Sequence, residues 1–114
     1  MAKILDFNSL SRPTLELVMR DEAKTKLRLT CPTEALIERM ETGTGELREI
    51  LARRDAAAIR AAFALAAELM SCNDSYTEIT ADQLRDVFRF GIEDLIAFFV
   101  CYGEFIDEIK NAKN

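Results

Sequence analysis

Pro13-Thr-Leu-Glu-Leu-Val-Met-Arg20, Asp21-Glu-Ala-Lys24 and Thr25-Lys-Leu-Arg-Leu-Thr-Cys31, closed by Pro32, decide the fold. In the first run Leu15, Leu17 and Met19 point one way, and Thr14, Glu16, Val18 and Arg20 the other. In the last run Leu27, Leu29 and Cys31 alternate with Lys26, Arg28 and Thr30. Period 2 is the signature of a half-buried strand. Two such runs joined by four polar residues predict a β-hairpin over about residues 14–31 with one apolar face. A lone hairpin is marginal in water, so helices must cover that face.

Beyond Pro32 the apolar period changes to 3.6. Pro32 suits a first helical position, and Glu34 complements the helix dipole. Leu36, Ile37 and Met40 start a stripe that Leu47, Ile50 and Leu51 continue, so a helix is expected over about 33–53. Thr42-Gly-Thr-Gly45 interrupts it. Two glycines cost a helix about 2 kcal/mol relative to alanine, so a break is expected near 42–45, at Gly43 and Gly45. The segment lacks the Gly-Lys-Ser/Thr ending of a phosphate loop. Asp55 is a good N-cap for an Ala-rich helix over 56–72, whose small residues all round predict a central helix with neighbours on several sides. A polar connection follows, with a short extended piece at Thr77–Ile79. Thr80-Ala-Asp-Gln83 is a capping box opening a helix over about 81–89. Gly91 allows a turn, and a last helix is expected over 92–110. The reading is one domain, 1–114, of class α+β, mainly α: an N-terminal β-hairpin packed on a four- or five-helix cluster.

The last helix carries the most information. At about 100° per residue, Phe105, Phe98, Ile109, Tyr102, Leu95, Ile106, Phe99, Ile92, Ile96 and Val100 follow one another over roughly 220°, where a surface helix needs only ≳ 100°. Either the hairpin and the central helix bury this arc from two sides, or part of it faces another protein. In the second case the excess is expected on the edge with Phe98, Phe105 and Ile109, and Phe98, Tyr102, Phe105 and Ile109 are the anchors. Gly103 lies mid-stripe, where it suits close backbone approach. Glu104 and Glu108 are four apart on the acidic side and would meet a basic partner. As an acid–base or cation pair they supply too few ligands on their own.

Composition narrows the function classes. The chain has 114 residues, 15 basic and 20 acidic side chains, and no His or Trp. Residues 1–56 hold 10 basic and 10 acidic groups and residues 57–114 hold 5 and 10, so the whole charge of −5 lies in the second half. That half repels phosphate, so no nucleic-acid partner is expected, although an acidic surface can mimic one. Without His, Ser/His and Cys/His catalysis and imidazole metal sites are excluded. Cys31, Cys72 and Cys101 form no C-x-x-C pair, and their apolar neighbours predict small buried thiols. We therefore expect no catalytic residue, cofactor or metal. No apolar run approaches ~18 residues, and Met1–Asp6 begins no signal sequence, which predicts no membrane partner and a cytoplasmic location.

Several stretches together resemble small prophage proteins of the phage tail assembly chaperone type. They are Leu5-Asp-Phe7, Arg12-Pro-Thr-Leu-Glu-Leu17, Leu27-Arg-Leu-Thr-Cys-Pro-Thr33, Ala66-Ala-Glu-Leu-Met-Ser-Cys-Asn73, and Asp94-Leu-Ile-Ala-Phe-Phe99 with Tyr102 and Phe105-Ile106. The resemblance implies a non-enzymatic protein of the bacterial host cytoplasm. Its partner would be a phage tail protein, tape-measure or tail-tube, whose hydrophobic helical segments it covers during morphogenesis. Many such proteins also have a frameshifted longer form. The Gly43/Gly45 break and the Ala-rich helix have no counterpart in that pattern. The competing expectation is an acidic regulatory or nucleic-acid-mimic module of a mobile element. A homo-oligomer is permitted by the hairpin edge and the wide stripe.

Overall fold

The computed structural model describes residues 13–40 and 55–111. The hairpin forms where period 2 places it: β1 (Leu15–Val18) pairs antiparallel with β2 (Lys26–Leu29), Leu17 opposite Leu27 and Val18 opposite Lys26. The turn is locked by Asp21, whose carboxylate accepts the Thr25 N–H (2.8 Å) and hydroxyl (2.6 Å). Lys24 takes the positive φ that closes it. Met19, Leu27 and Leu29 are buried on the inner face.

A helix, α1, begins at residue 34 and continues to residue 40, the last described residue of that segment. Its N-cap is Thr33, whose hydroxyl accepts the Leu36 N–H at 3.3 Å. Pro32 therefore lies one residue before the cap, not at the first helical position. The expected break at Gly43 and Gly45 and the helix up to 53 lie outside the described residues. Helix α2 (Ala56–Met70) starts at Asp55, whose carboxylate accepts the N–H groups of Ala57 and Ala58. Helix α3 (Ala81–Asp86) opens with the full capping box of Thr80 and Gln83. It is shorter than the 81–89 expected, because Arg89 turns the chain at φ 54°. The turn expected at Gly91 is made there instead, and no described glycine has a positive φ. Helix α4 (Ile92–Asn111) completes the order. The class is α+β, mainly α.

Helix α2 is the centre, touching β2, α3 and α4. Its fully buried Ala62 and Ala66 let these elements come close, while Phe63, Leu65, Leu69 and Met70 fill the gaps with Leu29, Leu84, Leu95 and Tyr102. The end of α2 is tied down by two polar residues. Ser71 Oγ donates to the Ala67 carbonyl (2.8 Å) and accepts the Ile79 N–H (2.9 Å). Asn73 is the one buried polar residue among those described. Its Nδ2 donates to the carbonyls of Met70 (2.9 Å) and Thr77 (2.8 Å), and its Oδ1 accepts from the N–H groups of Ser75 and Thr77. The short extended piece thus falls at Asn73, which bridges Leu29 of β2, and not at Thr77–Ile79.

The hairpin is fastened to α4 by a clasp. Arg20 grips Asp94 with two bonds (2.7 and 3.1 Å) and donates to the Arg89 carbonyl (2.8 Å). Asp94 in turn accepts the Gly91 N–H at 2.8 Å, capping the start of α4. The Arg20 hydrogen bond first, and that of Gly91 next, hold the Asp94 carboxyl below its ordinary range. The bonds from Thr25 do the same for Asp21.

Two outcomes follow from these contacts. Asn73→Ala leaves the Met70 and Thr77 carbonyls without a donor, and urea unfolding should show a loss of about 3 kcal/mol. For the aspartates, lowered folded values mean that the unfolded chain binds more protons. Their stabilisation is complete above the unfolded value of about 3.9 and is lost as pH falls through the lower folded values. The urea midpoint should therefore drop below about pH 4, and Asp94→Asn should flatten part of that drop while lowering the midpoint at neutral pH.

Candidate interaction surface

The α4 stripe turns mostly inward. Phe98, Tyr102 and Phe105, expected as partner-facing anchors, are 6%, 0% and 2% exposed. They follow one another along the helix in tilted and edge-to-face contact, with ring centroids 5.4 Å apart for Phe98–Tyr102 and for Tyr102–Phe105. All three belong to the core. The physical reason is that α2, lined with alanines, comes near enough for large rings on α4 to fill the space between. The exposed apolar edge is the opposite one from that expected: Ile92 and Ile96 are half-buried and Val100 is exposed. Gly103 has nothing within 4 Å of where a Cβ would sit, so no close approach depends on it.

Ile109 is half-buried and does line an opening. A groove of about 240 Å³ runs between the start of α1 and the end of α4, bounded by Glu34, Ile37, Glu38, Ile106, Ile109 and Lys110. Its floor is the three isoleucines, and two glutamates stand on its α1 side. Glu104 and Glu108 are exposed, as expected, but Glu108 lies about 160° around the helix from Ile106, away from this groove. The structure thus joins Ile109 to residues of α1 and leaves the glutamate pair on the solvent face. Sequence reasoning named Ile37 only as part of a stripe. The α1 contribution depends on how two helices far apart in sequence meet, and no local signal carries that.

The thiols also differ from expectation. Cys31 and Cys101 are exposed and Cys72 is intermediate. Cys31 lies past the end of β2, where the alternation no longer aims it at the core, and Cys101 is on the solvent side of α4. Burial pushes the Cys72 thiol up, only partly offset by the Thr33 N–H. Tyr102 is the other perturbed group: burial first, then Cys72 and Cys31, push its phenol above its ordinary value. Among the described residues its buried hydroxyl has no hydrogen-bond partner. Among the described residues no group of three Cys, Asp or Glu side chains is placed to hold a metal ion, and no described helix is long and apolar enough to cross a membrane.

Compared with protein-family models, curated proteins and solved structures, the chain matches none significantly.

An unpartnered buried hydroxyl costs stability that a ring of the same shape does not. Tyr102→Phe should leave the fold intact and raise stability by about 1 kcal/mol, read from the thermal or urea midpoint. A loss of more than that amount would mean that the hydroxyl has a partner.

Proposed function

We propose that the chain is a non-enzymatic assembly chaperone or adaptor of a phage or prophage tail, acting in the bacterial host cytoplasm. It transiently covers hydrophobic helical segments of a tail protein, of the tape-measure kind, until the tail is built. The observation that carries the binding reading is the α1–α4 groove. Its isoleucine floor suits the apolar stripe of an amphipathic helix, and Glu34 and Glu38 suit basic residues beside that stripe. The ordered sequence resemblance supplies the tail assembly context. Binding of this kind needs no catalytic group, cofactor or metal.

The exposed carboxylates of Glu93, Glu104, Asp107 and Glu108 on α4 favour a second reading, an acidic regulatory or nucleic-acid-mimic module. The two readings separate by salt. Apolar docking survives high salt, whereas recognition through surface carboxylates is screened.

The test is co-expression with the long tail protein encoded nearby, followed by pull-down at low and high salt. Ile109→Lys should cut capture by ~10-fold, the equivalent of 1.4 kcal/mol. Near a helix C-terminus a lysine suits the dipole, so the fold should be retained. Ile37→Thr should act in the same direction. Phe98→Ala and Phe105→Ala should instead cost about 3–5 kcal/mol of folding stability, as core aromatics do. Capture unchanged by both isoleucine variants would overturn the groove. A locus without tail genes would overturn the biological assignment.

A further inference from the structure

The described residues close only one of the hairpin's two edges. On β2, the Asp74 N–H donates to the Arg28 carbonyl (3.0 Å) and the Thr30 N–H to the Cys72 carbonyl (2.8 Å), so the chain leaving α2 seals that side. On β1 the ladder parity is fixed by the bond from the Met19 N–H to the Thr25 carbonyl, 2.8 Å, between residues directly opposite. Leu15, Leu17 and Met19 therefore turn their backbone groups toward β2, and Glu16 and Val18 turn theirs outward. Among the described residues nothing pairs with those outward N–H and C=O groups. Val18, between Glu16 and Arg20, is 63% exposed.

An open edge is a template for another strand, and the side chains along it decide which. The outer face reads Thr14, Glu16, Val18, Arg20. Consider β1 meeting the same strand of a second copy, antiparallel about a two-fold axis. With the axis at Val18, Val18 faces Val18 of the second copy, and Glu16 faces Arg20 of the second copy on both sides of the axis. Shifting the axis to Leu17 sets Glu16 against Val18 and loses both matches. Shifting it to Glu16 sets two like charges face to face. Shifting it to Met19 sets Glu16 against Glu22. One register alone is complementary in charge and in apolarity. Arg20 can serve it while holding α4. Three of its bonds go to Asp94 and Arg89, all from the two terminal nitrogens, and a guanidinium has five N–H donors. Its side chain is 57% exposed.

We infer that β1 is a self-association edge: two copies of this chain pair β1 to β1, antiparallel, with Val18 across from Val18. The product is a four-stranded sheet in the order β2-β1-β1-β2. Such a sheet removes the bare edge and takes the hairpin beyond two strands, the size at which sheets are marginal. This edge lies on the hairpin, apart from the residues lining the α1–α4 groove, and the inference stands without the tail assembly reading.

The experiment is sedimentation velocity of the full chain from micromolar to millimolar concentration, with circular dichroism to check the fold. The unaltered chain should show a concentration-dependent dimer. Val18→Pro removes an outward N–H that the hairpin does not use and should give a monomer. Should that proline unfold the hairpin, Glu16→Arg decides instead. It gives up one exposed ion pair within the hairpin, to Arg28 at 3.2 Å, which is worth little, sets the new guanidinium against Arg20 of the second copy, and should raise the dimer dissociation constant at least ~10-fold while circular dichroism stays unchanged. A chain monomeric at all concentrations overturns the inference. So does a dimer that Val18→Pro and Glu16→Arg leave unchanged, which would place the contact on another surface.

Discussion

The close approach of three elements to α2 is the constraint on which the rest depends. Ala62, Ala66 and Ala67 are buried within it, and none carries volume beyond Cβ. The space they leave is occupied by larger residues arriving from β2, α3 and α4: Leu29, Leu84, Leu95 and Tyr102 are all fully buried. Small on one side and large on the other is how interiors reach crystal-like density. The same arrangement explains why the polar end of α2 is so carefully satisfied. A helix enclosed on several sides must terminate near the core, where its last carbonyls see little water. Ser71 and Asn73 take up that task, and Asn73 simultaneously places the outgoing chain against β2.

What the sequence made legible was whatever chemistry is local. The hairpin followed from alternation over seven residues, and the starts of α2 and α3 from Asp55 and from Thr80 with Gln83, because a cap is a contact between residues two or three apart. The central place of α2 also followed from its composition. What stayed hidden required knowing the partner. Periodicity says that α4 has a wide apolar arc, but which edge of the arc remains open depends on where α2 crosses it. The open edge therefore holds Val100 rather than Phe98 and Phe105. Asn73 read as part of a polar connection and is buried. Arg89 adopts the backbone conformation that glycine adopts most cheaply, while Gly91 does not need it. The Arg20–Asp94 clasp joins residues 74 positions apart, and nothing near either one announces the other.

The burial of the aromatic stripe changes the kind of binding α4 can offer. A surface of exposed aromatic rings would have been a broad, strong anchor. What α4 presents instead, together with α1, is a narrow groove lined by isoleucines that complete the core at its margin. Shallow apolar contact without an aromatic anchor gives modest affinity and fast release, since most binding energy resides in a few large, fully desolvated groups. For a transient assembly factor, fast release is the useful property. The groove and the core do different things although they share Ile106: one end of that side chain's neighbourhood holds the fold and the other faces outward.

Charge then separates the two candidate contacts in space. The excess of acid lies entirely in the second half of the chain, and on α4 it forms an exposed side with Glu93, Glu104, Asp107 and Glu108. Two copies approaching through that side would repel one another over about a Debye length, ~10 Å at 0.1 M salt. On the hairpin the charges are already matched, Arg20 with Asp94 and Arg28 with Glu16 and Asp74. Like chains can therefore meet at the hairpin, while the acidic side of the helices stays turned outward. Such a dimer would present two grooves rather than one. For a partner that is a long chain with many hydrophobic helical segments, two linked weak sites hold far better than one, because the second binds at the high local concentration set by the first.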